Sequence, residues 1–166
     1  IGIEDMYANV PNCHVAAFVA FIGGKHNVYV ANSYVDDSVY IKANVAAGFF
    51  ATGDLGGNKL SATNSYVLAT FDATTYGAVT GNANVAGFTG YTFGKITLEN
   101  CVNNGYIELT NSSTWAVSAA GLVAMFGNGG NNSVLTIKGC TNNADVHVLF
   151  GGYEGVGGMV GSAKWK

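Results

Sequence analysis

The sequence predicts an all-β chain, specifically a right-handed parallel β-solenoid of about four to five coils with three short strands per coil. Three observations predict it. A short motif of small and large residues recurs five times along 166 residues. Two further motifs follow it in constant order, and each of these stretches alternates apolar and polar residues with period two, the signature of a strand with one buried face.

The first motif reads Ala16-Ala17-Phe18-Val19-Ala20, Ala47-Gly48-Phe49-Phe50-Ala51, Ala86-Gly87-Phe88-Thr89-Gly90, Ala120-Gly121-Leu122-Val123-Ala124 and Gly157-Gly158-Met159-Val160-Gly161, at offsets of 31, 39, 34 and 37 residues. The second reads Asn32-Ser33-Tyr34, Asn64-Ser65-Tyr66, Asn100-Cys101-Val102 and Gly139-Cys140-Thr141. The third is apolar: Ser38-Val39-Tyr40-Ile41, Thr70-Phe71-Asp72-Ala73, Tyr106-Ile107-Glu108-Leu109 and Asp145-Val146-His147-Val148. Gly23-Gly24, Gly56-Gly57-Asn58, Asn104-Gly105 and Gly127-Asn128-Gly129-Gly130 supply turns between them.

Stacked coils would lie ~4.8 Å apart, the strand-pairing distance. Phe18, Phe49, Phe88, Leu122 and Met159 would then form an interior ladder. The repeats divide the single domain at approximately 15–45, 46–84, 85–118 and 119–155, with partial coils at 1–14 and 156–166. A Greek-key sandwich is the rival fold, since it too uses many short strands. It does not require sequence repetition, so the solenoid is favoured.

Composition narrows the function. Charged residues are 10% of the chain and the net charge is −3. All seven basic residues are Lys, none is Arg, and they form no cluster. A nucleic-acid binder needs a positive footprint, so nucleic acid is not expected as a partner. The longest apolar run, Val15 to Ile22, is eight residues, too short to insert across a bilayer as a helix. The surface stays polar through Asn, Thr, Ser, Tyr and Gly, as in many secreted or cell-surface β proteins. The chain starts at Ile1 and is read as a processed product or a piece of something longer.

Individual residues suggest chemistry of low specificity. Cys101 and Cys140 share a column in adjacent coils, within the separation a disulfide spans, and are read as stacked thiols or a disulfide. Cys13 has no partner in this alignment. Asp72 and Glu108 share another column with His147 above, either an outward polar column or a raised-pKa acid pair for glycoside hydrolysis. Glu99 below Lys138 reads as a cross-strand ion pair. Asp36-Asp37 and Glu4-Asp5 read as solvated turns, since neither belongs to a calcium-loop pattern. His14, His26 and His147 are scattered and read as structural. No cofactor or metal is expected, because no ligand-spaced cluster accompanies any Cys. Asn103-Asn104 and Asn142-Asn143 read as a corner ladder of amides with left-handed backbone. Asn111 and Asn131 open N-glycosylation sequons, placed in variable loops. An ice-binding face would need Thr63, Thr97 and Thr136 in register, which is not expected.

Ala120-Gly121-Leu122-Val123 with Lys138-Gly139-Cys140-Thr141-Asn142-Asn143-Ala144-Asp145-Val146, and Glu99-Asn100-Cys101-Val102-Asn103-Asn104-Gly105-Tyr106-Ile107, resemble the GLUG-type repeats of large bacterial and protist surface proteins. The likeness is sharpest in the last two full repeats. The first two carry Asn-Ser-Tyr where those repeats show Asn-Cys. It implies a cell-surface or secreted β-solenoid and brings no catalytic residues.

A solenoid without caps exposes unpaired backbone at its ends. Ile3, Met6 and Tyr7 at one end, and Met159, Val160 and Trp165 at the other, are the residues expected to meet a neighbour. That neighbour is a copy of the chain, head to tail, or a flanking repeat. The functional expectation is a non-enzymatic structural or adhesive solenoid, with a carbohydrate-binding or carbohydrate-active solenoid as the alternative and glycans as its partner.

Overall fold

The computed structural model describes residues 1–24, 26–53, 59–73, 83–111, 117–127, 133–150 and 155–163. Every regular element among them is a β-strand, and every strand pairing is parallel. The chain winds as a β-solenoid of about four turns, as the repeats predict.

Each turn visits four sheets, not three strands. Sheet 1 stacks the two-residue strands Gly2–Ile3, Tyr34–Val35, Tyr66–Val67, Val102–Asn103 and Thr141–Asn142. Sheet 2 is a composite. In the first two turns one long strand crosses it, Tyr7–Ala16 and then Tyr40–Ala47. In later turns this divides into two strands, such as Thr70–Asp72 with Ala83–Ala86 and Tyr106–Asn111 with Val117–Ala120. Sheet 3 stacks Val19–Ile22, Phe50–Gly53, Thr89–Thr92, Val123–Phe126 and Val160–Ala163. Sheet 4 stacks Asn27–Ala31, Lys59–Thr63, Lys95–Glu99 and Val134–Lys138.

The correction has a physical cause. The Ala-Gly-Phe motif is not a strand but the corner between sheets 2 and 3: Ala47 ends one strand, Gly48 and Phe49 turn, and Phe50 begins the next. Sheet 4, just before each Asn corner, supplies the missing wall. Its strands alternate cleanly, with Leu60, Ala62, Ile96 and Leu98 buried between half-buried or exposed residues.

Register is kept despite unequal turn lengths, apart from a shift between Val10 and His14 in the first turn. Equivalent Asn corners are 32 and 36 residues apart, and Cys101 and Cys140 are 39 apart. The extra residues are absorbed between strands, so Ile96 pairs with Leu60 on one side and Leu135 on the other. The interior is a set of vertical apolar ladders. Phe49 stacks on Phe18 at 4.7 Å and on Phe88 at 4.8 Å between ring centroids, near the spacing of paired strands. Leu122 continues the column fully buried, and Met159 ends it 38% exposed.

Glycine at the corner is dictated by close approach. A Cβ on Gly87 would lie 2.6 Å from the Gly121 carbonyl oxygen of the next turn and would collide with the Asn103 side chain arriving from sheet 1. Around this corner the strands of sheets 2 and 3 are buried on both faces. Ala16, Val45 and Ala51, with Tyr91 against them, form a second small cluster separate from the main core.

Candidate functional site

Four columns collect the side chains that could carry function. The first is the corner between sheets 4 and 1. Asn32, Asn64 and Asn100 adopt φ of 51°, 49° and 52°, a region that Asn tolerates better than most residues. Gly139 completes the column at φ 62°. The Asn64 amide donates to Asn32 Oδ1 at 3.4 Å, and the Asn100 amide donates to Asn64 Oδ1 at 3.2 Å. The left-handed corner therefore sits here, and not at Asn103-Asn104 and Asn142-Asn143 as expected.

Those later asparagines have other duties. The Asn143 amide donates to Asn104 Oδ1 at 2.9 Å, so an amide ladder does run there, outside the wall. Asn103 points inward and is fully buried. Its Nδ2 donates to the Gly121 carbonyl at 2.6 Å, and its Oδ1 accepts from the Gly105 amide at 3.0 Å. A buried amide is tolerated because both ends are satisfied.

The second column is Ser33, Ser65, Cys101 and Cys140. Three side chains donate to the carbonyl two residues back, Ser33 to Ala31 and Ser65 to Thr63 at 2.9 Å and Cys140 to Lys138 at 3.4 Å, while the Cys101 thiol lies between the Ala62 carbonyl at 3.2 Å and the Glu99 carbonyl at 3.5 Å. Both cysteines are free thiols, Cys101 buried and Cys140 half-buried. Burial pushes the Cys101 thiol up to about 11. Cys13 is an exposed thiol in the irregularity where the Tyr7–Ala16 strand slips register against its neighbour.

The third column is charged. Lys42, Asp72, Glu108 and His147 are register partners in four successive turns. Lys42 Nζ lies 2.9 Å from Asp72 Oδ2, and the Tyr40 hydroxyl donates to the same oxygen at 2.9 Å. Asp72 is only 6% exposed. Desolvation, then its hydrogen bond to Asp72, pushes the Tyr40 phenol up to about 12. The expected Asp72–Glu108–His147 alignment is real, but Asp72 is buried and tied to the turn below. His147 is exposed beside Tyr106, Asp145 and Val146 in a shallow depression of about 380 Å³ on the last full turn. Among the described residues no three His, Cys, Asp or Glu side chains converge as a metal site.

The fourth set is aromatic. Tyr7 stacks on Tyr40 at 5.4 Å and Tyr34 on Tyr66 at 5.2 Å, with planes within 15° and 6°. The rings cover one another along the solenoid axis. The Tyr34 hydroxyl bonds Glu4 Oε1, which raises its pKa.

The remaining expectations are placed as follows. Lys138 Nζ meets Glu99 Oε1 at 2.8 Å, the expected ion pair. Asp36 holds Ser38 through its amide and hydroxyl, and Ser38 Oγ accepts from the Asp5 amide, making both acidic pairs part of turn structure. His14 Nδ1 lies 2.6 Å from Thr52 Oγ1, and burial lowers its pKa. Thr97 and Thr136 do share a column, together with Ser61, but Thr63 pairs with Glu99 instead. Asn111 is the last residue of a strand, in register with Phe150, and not in a loop as expected. Asn131 and Trp165 lie outside the described residues.

At the assembly ends, Gly2–Ile3 pairs with Tyr34–Val35, and Met6 accepts from the Tyr40 amide. The opening segment therefore spans two sheets. At the far end Val160 pairs with Val123, and Met159 accepts from the Leu122 and Val123 amides.

No family model, curated protein or solved structure matches the chain.

Proposed function

We propose that this chain is a non-enzymatic structural solenoid whose two ends stack on copies of itself, head to tail, outside the cell. One observation carries the reading: of eleven exposed large hydrophobic side chains among the described residues, nine belong to the first or last turn. Ile1, Tyr7, Val10, Phe21 and Tyr29 surround one end, and Val134, Leu149, Val156 and Met159 the other. Inward-facing residues follow suit. Ile107 and Leu109 are fully buried, whereas Val146 and Val148, their register partners in the last turn, are half-exposed. Exposed apolar surface of this kind marks an association site.

A second copy fits these ends, as a flanking repeat of a longer solenoid would. Continuing the observed registers would place Val146 under Ala8, Met159 under Phe18 and Val160 under Val19 of the next subunit, apolar on apolar. It would also pair the unpaired strand edges of both ends. Four to five spacings of ~4.8 Å correspond to a rise of roughly 20–24 Å per subunit. The motif resemblance to surface-protein repeats and the charge-poor composition support an extracellular setting. Sedimentation velocity and negative-stain microscopy over a wide concentration range test the proposal. Filaments are expected, and Met159→Lys should shorten or abolish them. Monodisperse single particles throughout would overturn it.

The alternative, glycan contact, draws support from the Tyr106–Asp145–His147 depression. Binding on a glycan array, lost in Tyr106→Ala, would favour it.

A further inference from the structure

We propose that Cys101 and Cys140 form a site of reversible oxidative cross-linking that staples the last full turn of the solenoid to the one beneath it. The two residues lie between register pairs on both sides, Glu99 with Lys138 and Val102 with Thr141, so their backbones are strand neighbours in adjacent turns. That spacing falls within the Cα separation of a disulfide. The Cys140 sulfur already sits over the Cys101 backbone, accepting its amide hydrogen at 3.4 Å. The Cys101 thiol now points to the Ala62 carbonyl of the turn below, at 3.2 Å, and would rotate upward to reach Cys140.

The column shows that sulfur is not needed for the corner itself. Ser33 and Ser65 make the same bond to the carbonyl two residues back, and Ser65 Oγ accepts the Ser33 amide as Cys140 Sγ accepts that of Cys101. Serine satisfies the corner in two turns, and thiols stand one above the other in the next two. Only paired thiols add a covalent option.

The chemistry requires a small-molecule disulfide as oxidant, such as oxidised glutathione. Cys140, half-buried on the last turn, attacks as thiolate and expels one glutathione thiolate, leaving a mixed disulfide. Cys101 then loses its proton to solvent and attacks the Cys140 sulfur. The inter-turn S–S bond forms and the second glutathione leaves. Two protein thiols are oxidised and one small disulfide is reduced to two thiols. The buried Cys101 thiol, raised to about 11, makes this second step slow at neutral pH. Closure should therefore speed up by about tenfold per pH unit between pH 7 and 10, following the thiolate fraction.

The experiment uses the full chain carrying Cys13→Ser, which removes the exposed third thiol. Folded protein is incubated with oxidised glutathione, digested without reduction and mapped by mass spectrometry. The expected result is a Cys101–Cys140 linked peptide, loss of both free thiols, and an unfolding midpoint several degrees above the reduced form. That shift should vanish in Cys101→Ser and in Cys140→Ser, which retain the corner bond. Two free thiols, or a lasting glutathione adduct on Cys140 with Cys101 still free, would overturn the proposal. The peptide map alone decides it should either serine variant fail to fold.

Discussion

Asn100 shows how much one side chain does in this architecture. Its backbone occupies the left-handed region at φ 52° and its amide bonds Asn64 one turn below. Alanine would lose the hydrogen bond and strain the backbone, whereas glycine would lose only the bond. Asn100→Ala should cost about 2 kcal/mol and Asn100→Gly about 1 kcal/mol, measured by urea denaturation. Equal losses would show that the ladder, not the backbone, sets the cost. Asp72 ties two turns by a different route, through Lys42 and Tyr40. Its side chain is 9% exposed and that of Lys42 22%. Asp72→Asn should cost about 2 kcal/mol, discounted from a fully buried pair because the lysine still meets water. The pH dependence follows from Tyr40. Its phenol is raised from 10 to about 12, so the folded state holds that proton more tightly than the unfolded chain. This contribution is fully present below pH 10 and declines between pH 10 and 12. Tyr40→Phe should flatten that part of the stability profile.

At the scale of elements, stability resides in ladders shared by neighbouring turns. Phe49 is fully buried between Phe18 and Phe88 and touches Phe50 edge-on, so Phe49→Ala should cost about 4 kcal/mol. Phe18, half-buried with one ring face stacked on Phe49, should cost less when truncated. Each turn contacts chiefly the turns above and below, as in other solenoids, so the ends should open first. In the dissociated chain, amide hydrogen exchange should find the strongest protection in the middle strands, Leu60 to Ala62 and Ile96 to Leu98, and the weakest in Val134–Lys138 and Val160–Ala163. Uniform protection along the axis would contradict turn-by-turn opening. The elements themselves were partly legible. The Ala-Gly-Phe motif stood out because close packing at a corner admits only small residues, and so the motif marked a bend and not a strand. The strands of sheet 4 carry ordinary alternation, Lys59-Leu60-Ser61-Ala62-Thr63 or Val134-Leu135-Thr136-Ile137-Lys138, and no residue type holds one position in all four turns. Their signal is the fixed position before the Asn corner.

For the whole molecule, the central question is what meets the uncovered ends. Half-exposed Val146 and Val148, with exposed Met159 and Phe21, leave apolar surface at opposite poles of one axis. The proposed head-to-tail association through such ends would be non-closing, and its expected product is a filament and not a ring of fixed size. The candidate acid column was legible in the sequence as a register prediction, since Asp72, Glu108 and His147 do stack. Its chemistry was not legible. Pairing of Asp72 with Lys42 depends on which side chains share the outer face of one sheet across turns of unequal length. The sequence by itself determined the repeat, the parallel stacking of turns, and the identity of the inner ladders, because a period-two alternation and a corner that tolerates only small residues are local demands. Only the tertiary structure decided the number of walls, the residue bearing each left-handed corner, and the burial of Asp72. These depend on how far the chain travels before each bend and on which turn lies directly beneath, distances that vary from repeat to repeat and are settled only when neighbouring turns pack.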